Sequence, residues 1–229
     1  TLAQNATRYD AMARPTYRQE SGLIMGQAKE LLFLVHRIPY PPNKGDKIRS
    51  FNILKHLAKT YRVHVGAFVD DPHDWSYQAE LEALCCNENG EECGEINLVN
   101  LKPSTRKLMS LQALFTGDSL TVPYYASQTM QAWVDDLLVN KPIEQVIVFS
   151  SPMAQFVSGL EYLHLRRVAD FVDIDSDKWA QYAKSKPLPL SWIYEREART
   201  LFDYERKVAS DFDATVFVSD DESEMFKQM

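Results

Sequence analysis

Asp173, Asp175 and Asp177 stand at alternate positions of VDIDSDKW, where an apolar, strand-like run gives out. Three carboxylates so close together repel one another if a continuing strand places them on one face. In a loop at the strand end they could bind a cation, hold sugar hydroxyls, or leave one carboxyl raised in pKa as a base. Helix capping is the plainer account, with Asp175 or Ser176 as N-cap and Asp177 in the first turn. Asp173 is not needed for a cap. Asp173 and Asp175 are therefore the candidate catalytic residues, with Asp177 and Lys178 as binding candidates beside them. No metal is assigned, because Asp-x-Asp alone is too short a pattern to define a site.

A second group lies in residues 31–58, LLFLVHRIPYPPNKGDKIRSFNILKHLA. The apolar start reads as a strand covered on both faces, and Pro39, Pro41 and Pro42 force a loop after it. Asp46 is the expected N-cap of a following helix whose apolar face is Ile48, Phe51, Leu54, Leu57 and Ala58. Free amides there, with Gly45 permitting close approach and Lys44, Lys47 and Arg49 supplying charge, would suit a phosphate. Gly45, Asp46, Lys47 and Arg49 are thus candidates for a donor-phosphate cleft. An ordinary turn with exposed lysines fits the same residues. His36, at the end of the first strand, and Ser150 with Ser151, after a later one, are candidate acceptor contacts. No G-x-S-x-G elbow occurs, which argues against a serine hydrolase.

The 229 residues carry a net charge of -7. That balance argues against a nucleic-acid partner, which would need clustered Lys and Arg. Lys102, Arg106 and Lys107 form one local basic group that could meet lipid headgroups; Arg166 and Arg167, like that group, read first as solvated surface. The three cysteines, two of them adjacent, are a poor set for a disulfide framework and point to a reducing cytoplasm. No stretch approaches the roughly 18 apolar residues of a membrane span, so membrane contact is expected to be peripheral.

To position these residues the chain alternates strands, over residues 31–35, 62–69, 96–101, 145–150, 168–173 and 214–219, with helices. The helices are expected over 47–59, 75–86, 106–115, 127–140, 153–163 and 190–210. The fold class is α/β, a doubly wound, mostly parallel Rossmann-like sheet, with candidate residues gathered at the strands' carboxyl edge. Charge on most turns of the last long helix reads as a solvated face, with Trp192, Tyr194, Phe202 and Tyr204 docking it on the sheet. Residues 1–28 read as an extension ahead of the domain, which would occupy 29–229; Met25 is placed where a shorter protein could begin.

PYPPNKGDKIRSFNILKHLA, VDIDSDKWAQYA and YERKVASDFDATVFVSDDE, in that order, resemble the N-terminal half of a GT-B glycosyltransferase of family 4. More narrowly they are similar to the sugar transferases of exopolysaccharide and exosortase (PEP-CTERM) gene clusters. The resemblance implies an acceptor-side domain, a donor-binding domain beyond Met229, and retaining transfer from a nucleoside-diphosphate sugar to a glycan or glycolipid acceptor. It implies no tightly bound cofactor, and an inactive fragment. By position it places Gly45 at the donor diphosphate, with Asp46 where many members have a second glycine, and Asp173 or Asp175 near the acceptor hydroxyl. Glu205 with Arg206, and Ser219 with Glu222, match positions that organise structure. The alternative expectation is a free-standing Rossmann-like binding domain; a dinucleotide reader would carry G-x-G-x-x-G after its first strand, which residues 42–46 lack.

Overall fold

In the computed structural model, which describes residues 29–86 and 93–229, the first strand already dictates the layering. Strand β1 (Lys29–Val35) points Leu31, Phe33 and Val35 into one core and Leu32 and Leu34 into another, and all five are buried. Side chains alternate across a strand, so a run apolar at every position must be covered on both faces. The other strands are β2 (Tyr61–Val69), β3 (Ile96–Asn100), β4 (Ile143–Phe149), β5 (Arg166–Asp170) and β6 (Ala214–Val216). Their order is β3-β2-β1-β4-β5-β6, with every pairing parallel. This is a doubly wound, Rossmann-like sheet whose order reverses between β1 and β4.

Helix α1 (Gly45–Leu57), the 3-10 turn Pro72–Tyr77 and α2 (Gln78–Leu84) follow the first two strands; Leu54 and Leu81 enter the Phe33 core. Three short helices come next, α3 (Pro103–Ser110), α4 (Ala113–Thr116) and α5 (Thr121–Tyr124). Then α6 (Gln128–Asn140) buries Met130, Val134 and Leu137 against the opposite face. It packs so tightly that a Cβ on Gly66 of β2 would lie 2.8 Å from Leu34, Met130 and Trp133. The chain finishes with α7 (Asp175–Ser185), α8 (Leu190–Asp211) and α9 (Asp220–Gln228). At the start of α9 the N-cap Ser219 accepts from the Glu222 amide, and Glu222 accepts from the amide of Val218, one residue before the cap. The structural role expected of that pair is met.

Several expectations need correction. Residues 106–115 do not form one helix: α3 ends at Ser110, residues 111–112 turn, and α4 starts at Ala113 and is closed by Gly117 at φ 88°. Residues 153–163 form two 3-10 segments, Ser151–Val157 and Leu160–Tyr162, the first buried almost all round and so without a helical stripe. Cys86 and Cys93 form a disulfide, their Cα atoms 3.9 Å apart in an antiparallel bridge, which removes the cysteine argument for a reducing compartment. Only Cys85 is free, with burial pushing its thiol up to about 12. Arg167 is not surface: buried, it donates to the Val157 and Asp211 carbonyls. The expected extension, including Met25, lies outside the described residues.

The largest correction concerns α8, whose charged face is not simply solvated. Arg196, Glu197 and Glu205 are buried. Arg196 donates to the Asp118 and Ala113 carbonyls, and Glu197 accepts from Ser119, from the Leu120 amide, and from both the amide and hydroxyl of Thr121. Buried charge persists only when its hydrogen-bonding capacity is met, and here the α4–α5 backbone meets it. Of the aromatics, Tyr204 docks on the core and Phe202 on α9, but Trp192 faces solvent.

Candidate functional site

Register brings the candidates together. Val35 pairs with Phe149, Phe149 with Asp170 and Asp170 with Val216, so β1, β4 and β5 end in one row. The residues that follow, His36, Ser150 and Phe171 to Asp173, form the floor of a cleft of about 470 Å³ at the point where the strand order reverses. Crevices of parallel sheets hold ligands at this place. Asp175, Lys178, Trp179 and Tyr182 of α7 make one wall, and Arg37, Asp46 and Tyr125 contribute to the rest.

Two floor residues lie in the left-handed region, Ser150 at φ 80° and Val172 at φ 65°. For a β-branched residue that conformation is strained, costing about 2 kcal/mol. Val172 centres a γ-turn in which the Asp173 amide donates to the Phe171 carbonyl at 2.6 Å. Buried Asp170 holds the turn by accepting from the Val172 amide at 3.0 Å, and its other oxygen takes Arg49 at 2.8 Å. The turn aims Asp173 into the cleft instead of onward along the strand.

Asp173 and Asp175 share Lys178, whose Nζ is 2.6 Å from the first and 3.2 Å from the second. Burial pushes the Asp175 carboxyl up, against the pull of Lys178, while burial works against the Lys178 charge and the two aspartates more than offset it. Asp175 opens α7 without capping it; the N-cap is Ile174, with no side-chain bond. Glu205 does that work from beneath, accepting from the Ser176 hydroxyl at 2.5 Å and the Ser176 amide at 3.4 Å. Burial, with Asp175 nearby, raises the Glu205 carboxyl to about 7 despite the Ser176 bonds.

On the opposite side His36 stacks on Phe149 at 5.8 Å and meets Asp46 at 3.4 Å, its Nδ1 buried and without a partner. Arg37 bridges Asp46 at 2.7 Å and Asp70 at 3.0 Å. The His36 bond and the Arg37 charge outweigh burial and hold the Asp46 carboxyl well below the usual carboxylate range.

The sequence candidates therefore divide. His36, Asp46, Ser150, Asp173, Asp175 and Lys178 line one cleft. Asp46 is not the expected cap, since Lys44 holds that position and the Asp46 carboxylate serves Arg37. Lys47 is withdrawn altogether, buried at 2.5 Å from Asp74, and Arg49 is engaged with Asp170; neither is free for a phosphate. Ser151 is buried behind the floor against Glu205, and Asp177 turns to Gln181. Gly45 has open space where a Cβ would stand, so nothing in the chain itself requires glycine there. Sequence reasoning passed over Arg37, Thr121, Tyr125, Phe171, Val172, Trp179 and Tyr182. Trp179 and Tyr182, one helical turn apart in the VDIDSDKWAQYA block, carried a usable signal; Tyr125, in an irregular connection, carried none.

Chemically, both cations lining the cleft are held between carboxylates, and ring faces stand close by. Aspartates accept from hydroxyl groups and aromatic rings cover apolar sugar faces, so the arrangement suits a neutral polyol better than a free anion. Among the described residues no group of three or more His, Cys, Asp or Glu side chains is placed to hold a metal ion.

No protein-family model matches the chain, and no curated protein matches it. Among solved structures, the N-terminal domain of trehalose-6-phosphate phosphatase from Candida albicans is similar at 12% identity and a TM-score of 0.37, covering 81% of this chain. The match takes in 44% of that protein's chain, less than half its length.

Proposed function

We propose that the chain is the acceptor-side domain of a glycosyltransferase that moves a sugar from a nucleoside-diphosphate sugar to a glycan or glycolipid in exopolysaccharide or cell-surface glycan assembly. The observation that carries this reading is the cleft at the strand-order reversal, where paired Asp173 and Asp175 stand beside aromatic rings and no lining cation is uncommitted. Such a surface offers acceptors and ring faces to hydroxyls, and leaves the diphosphate to a second domain closing over it. In the transfer, the bond from the anomeric carbon to the diphosphate oxygen breaks and one to the acceptor oxygen forms. The acceptor hydroxyl gives up its proton, and Asp175, raised by burial, is the group placed to receive it. Asp173 and Lys178 orient that carboxyl, His36 and Ser150 contact the acceptor, and Gly45 borders the donor side. Cleft closure excludes water, so the sugar is transferred instead of hydrolysed. On this reading the enzyme works at the inner face of the cytoplasmic membrane, where a reducing environment would hold the Cys86–Cys93 pair as thiols.

The strand order itself favours a second reading, a free-standing nucleotide-binding domain, since this order also builds dinucleotide crevices. Labelled UDP-sugars and GDP-sugars separate the two, tested on this chain and on a form extended through the following reading frame. Transfer or slow donor hydrolysis by the extended form alone is the expected result, with Asp175→Asn lowering turnover about 100-fold at unchanged donor affinity. Tight nucleotide binding by the short chain, or a reading frame ending at Met229, would favour the second reading instead.

A further inference from the structure

The corner joining α7 to α8 breaks the acidic character of a chain whose net charge is -7. From Lys178 to Tyr194 there is no aspartate or glutamate. Lys184 and Lys186 are exposed there, and among the described residues neither has an ion pair. Beyond them three large apolar side chains stand in solvent: Leu188 at 78% exposure, Leu190 at 44% and Trp192 at 56%. Single exposed leucines mean little, but two leucines and a tryptophan within residues 188–192 expose an apolar cluster at one corner.

The patch is mounted firmly. One turn beyond Trp192, Arg196 and Glu197 bond to residues 113–121, just after exposed Met109 and Leu111. Pro187 and Pro189 stiffen the corner itself. Tyr182 and Trp179, on the α7 side, line the cleft.

We propose that the α7–α8 corner docks on an anionic lipid surface, with Leu188, Leu190 and Trp192 entering the interfacial layer and Lys184 and Lys186 meeting lipid phosphates. Aliphatic and tryptophan side chains flanked by lysines, in a stretch whose first acid is Glu195 on the side of α8 toward Lys184, complement a negatively charged bilayer interface. A second copy of the chain fits less well, because a two-fold contact through this patch would bring the same lysines face to face. The surface is distinct from the Lys102, Arg106 and Lys107 group, where Arg106 is already committed to the Ala126 carbonyl. Docking here would bring the cleft mouth to headgroup level. It does not depend on the transferase reading.

Sedimentation with vesicles of phosphatidylcholine, alone or mixed with an equal part of phosphatidylglycerol, tests it. The chain should pellet with the mixed vesicles and less so as salt rises. The triple variant Leu188→Ser, Leu190→Ser, Trp192→Ser and the pair Lys184→Glu, Lys186→Glu should each lose at least about tenfold in partitioning. The control pair Lys102→Glu, Lys107→Glu should stay within about twofold, with unchanged thermal midpoints for all variants. Three results would overturn the proposal: no pelleting with either vesicle, pelleting indifferent to the corner substitutions, or a dimer in solution that the triple variant abolishes. No sugar enters the assay, so its failure would leave sugar transfer by the cleft untouched and remove only the membrane-face location proposed with it, and failed transfer would leave this one untouched.

Discussion

At the scale of single residues, the cleft is organised by carboxylates with different tasks. Asp173 and Asp175 face the cleft, while Asp170, the last residue of β5, faces Arg49 and the strained turn. The distinction can be measured. Asp170→Asn keeps the side chain's shape but weakens its hold on the Val172 amide and removes the partner of Arg49. A loss of about 2 kcal/mol in urea unfolding is expected, whereas Asp173→Asn, half exposed at the same strand end, should stay within about 0.5 kcal/mol. Equal effects from the two would mean that the γ-turn does not depend on Asp170. Under the proposed function the order reverses for activity: Asp173→Asn and Asp175→Asn should impair any transfer by the extended form more than they impair folding.

Among the elements, α8 acts as a spine that reads two different partners through buried acids. Glu197→Ala would strand the amides of Leu120 and Thr121 and the Ser119 hydroxyl, costing about 3 kcal/mol and speeding hydrogen exchange across α5. Exchange unchanged in that segment would show that α5 is held by packing alone. On the same face of the sheet, where α6 and α8 share one core, Gly66→Ala should cost about 2 kcal/mol in urea unfolding, because Leu34, Met130 and Trp133 already touch the space a methyl group needs. No loss would mean that α6 can shift outward freely. These elements also mark what a single sequence can convey. The six strands were legible as short apolar runs between helical patterns, unbroken over residues 31–35 but mixed with polar residues in β3 and β5, and β5 and β6 end earlier than the sequence suggested; α1, α6 and α8 were legible because their periodicity is sustained. The start of α7 was open to two accounts, since the same aspartates that favour a first turn also suggest a site, and in the fold they serve both. Buried charge on α8 was illegible: Glu and Arg at helical spacing look alike whether their partner is water or the backbone of residues 113–121. The cleft's principal aspartates were visible as a pattern, but its aromatic wall and the withdrawal of Lys47 depend on contacts distant in sequence.

For the whole molecule, the pH dependence of stability links the buried groups to one another. His64, fully buried beside Glu30, has its pKa lowered by burial, so the native state binds fewer protons there than the unfolded chain. Its contribution therefore falls as pH drops below about 6.5. Glu205 acts in the opposite sense. Its folded value of about 7 lies above the ordinary 4.5, so the native state holds the extra proton. That contribution is complete below 4.5 and is lost as pH rises through 7, amounting to roughly 3 kcal/mol. Comparing Glu205→Gln with the parent isolates it, because every other titrating group cancels in the difference. The variant should gain stability relative to the parent by roughly 3 kcal/mol between pH 5 and pH 8 in urea unfolding. A difference that does not change with pH would show that Glu205 is ionised in the fold throughout that range. In that case the Ser176 bonds outweigh burial, and a full negative charge lies beneath Asp175. If the difference appears as expected, α7 begins on a neutral carboxyl at low pH and on a charged one at high pH. The Asp175 carboxyl would then titrate against a neighbour whose own charge is changing, which would broaden the pH profile of any proton transfer at the cleft.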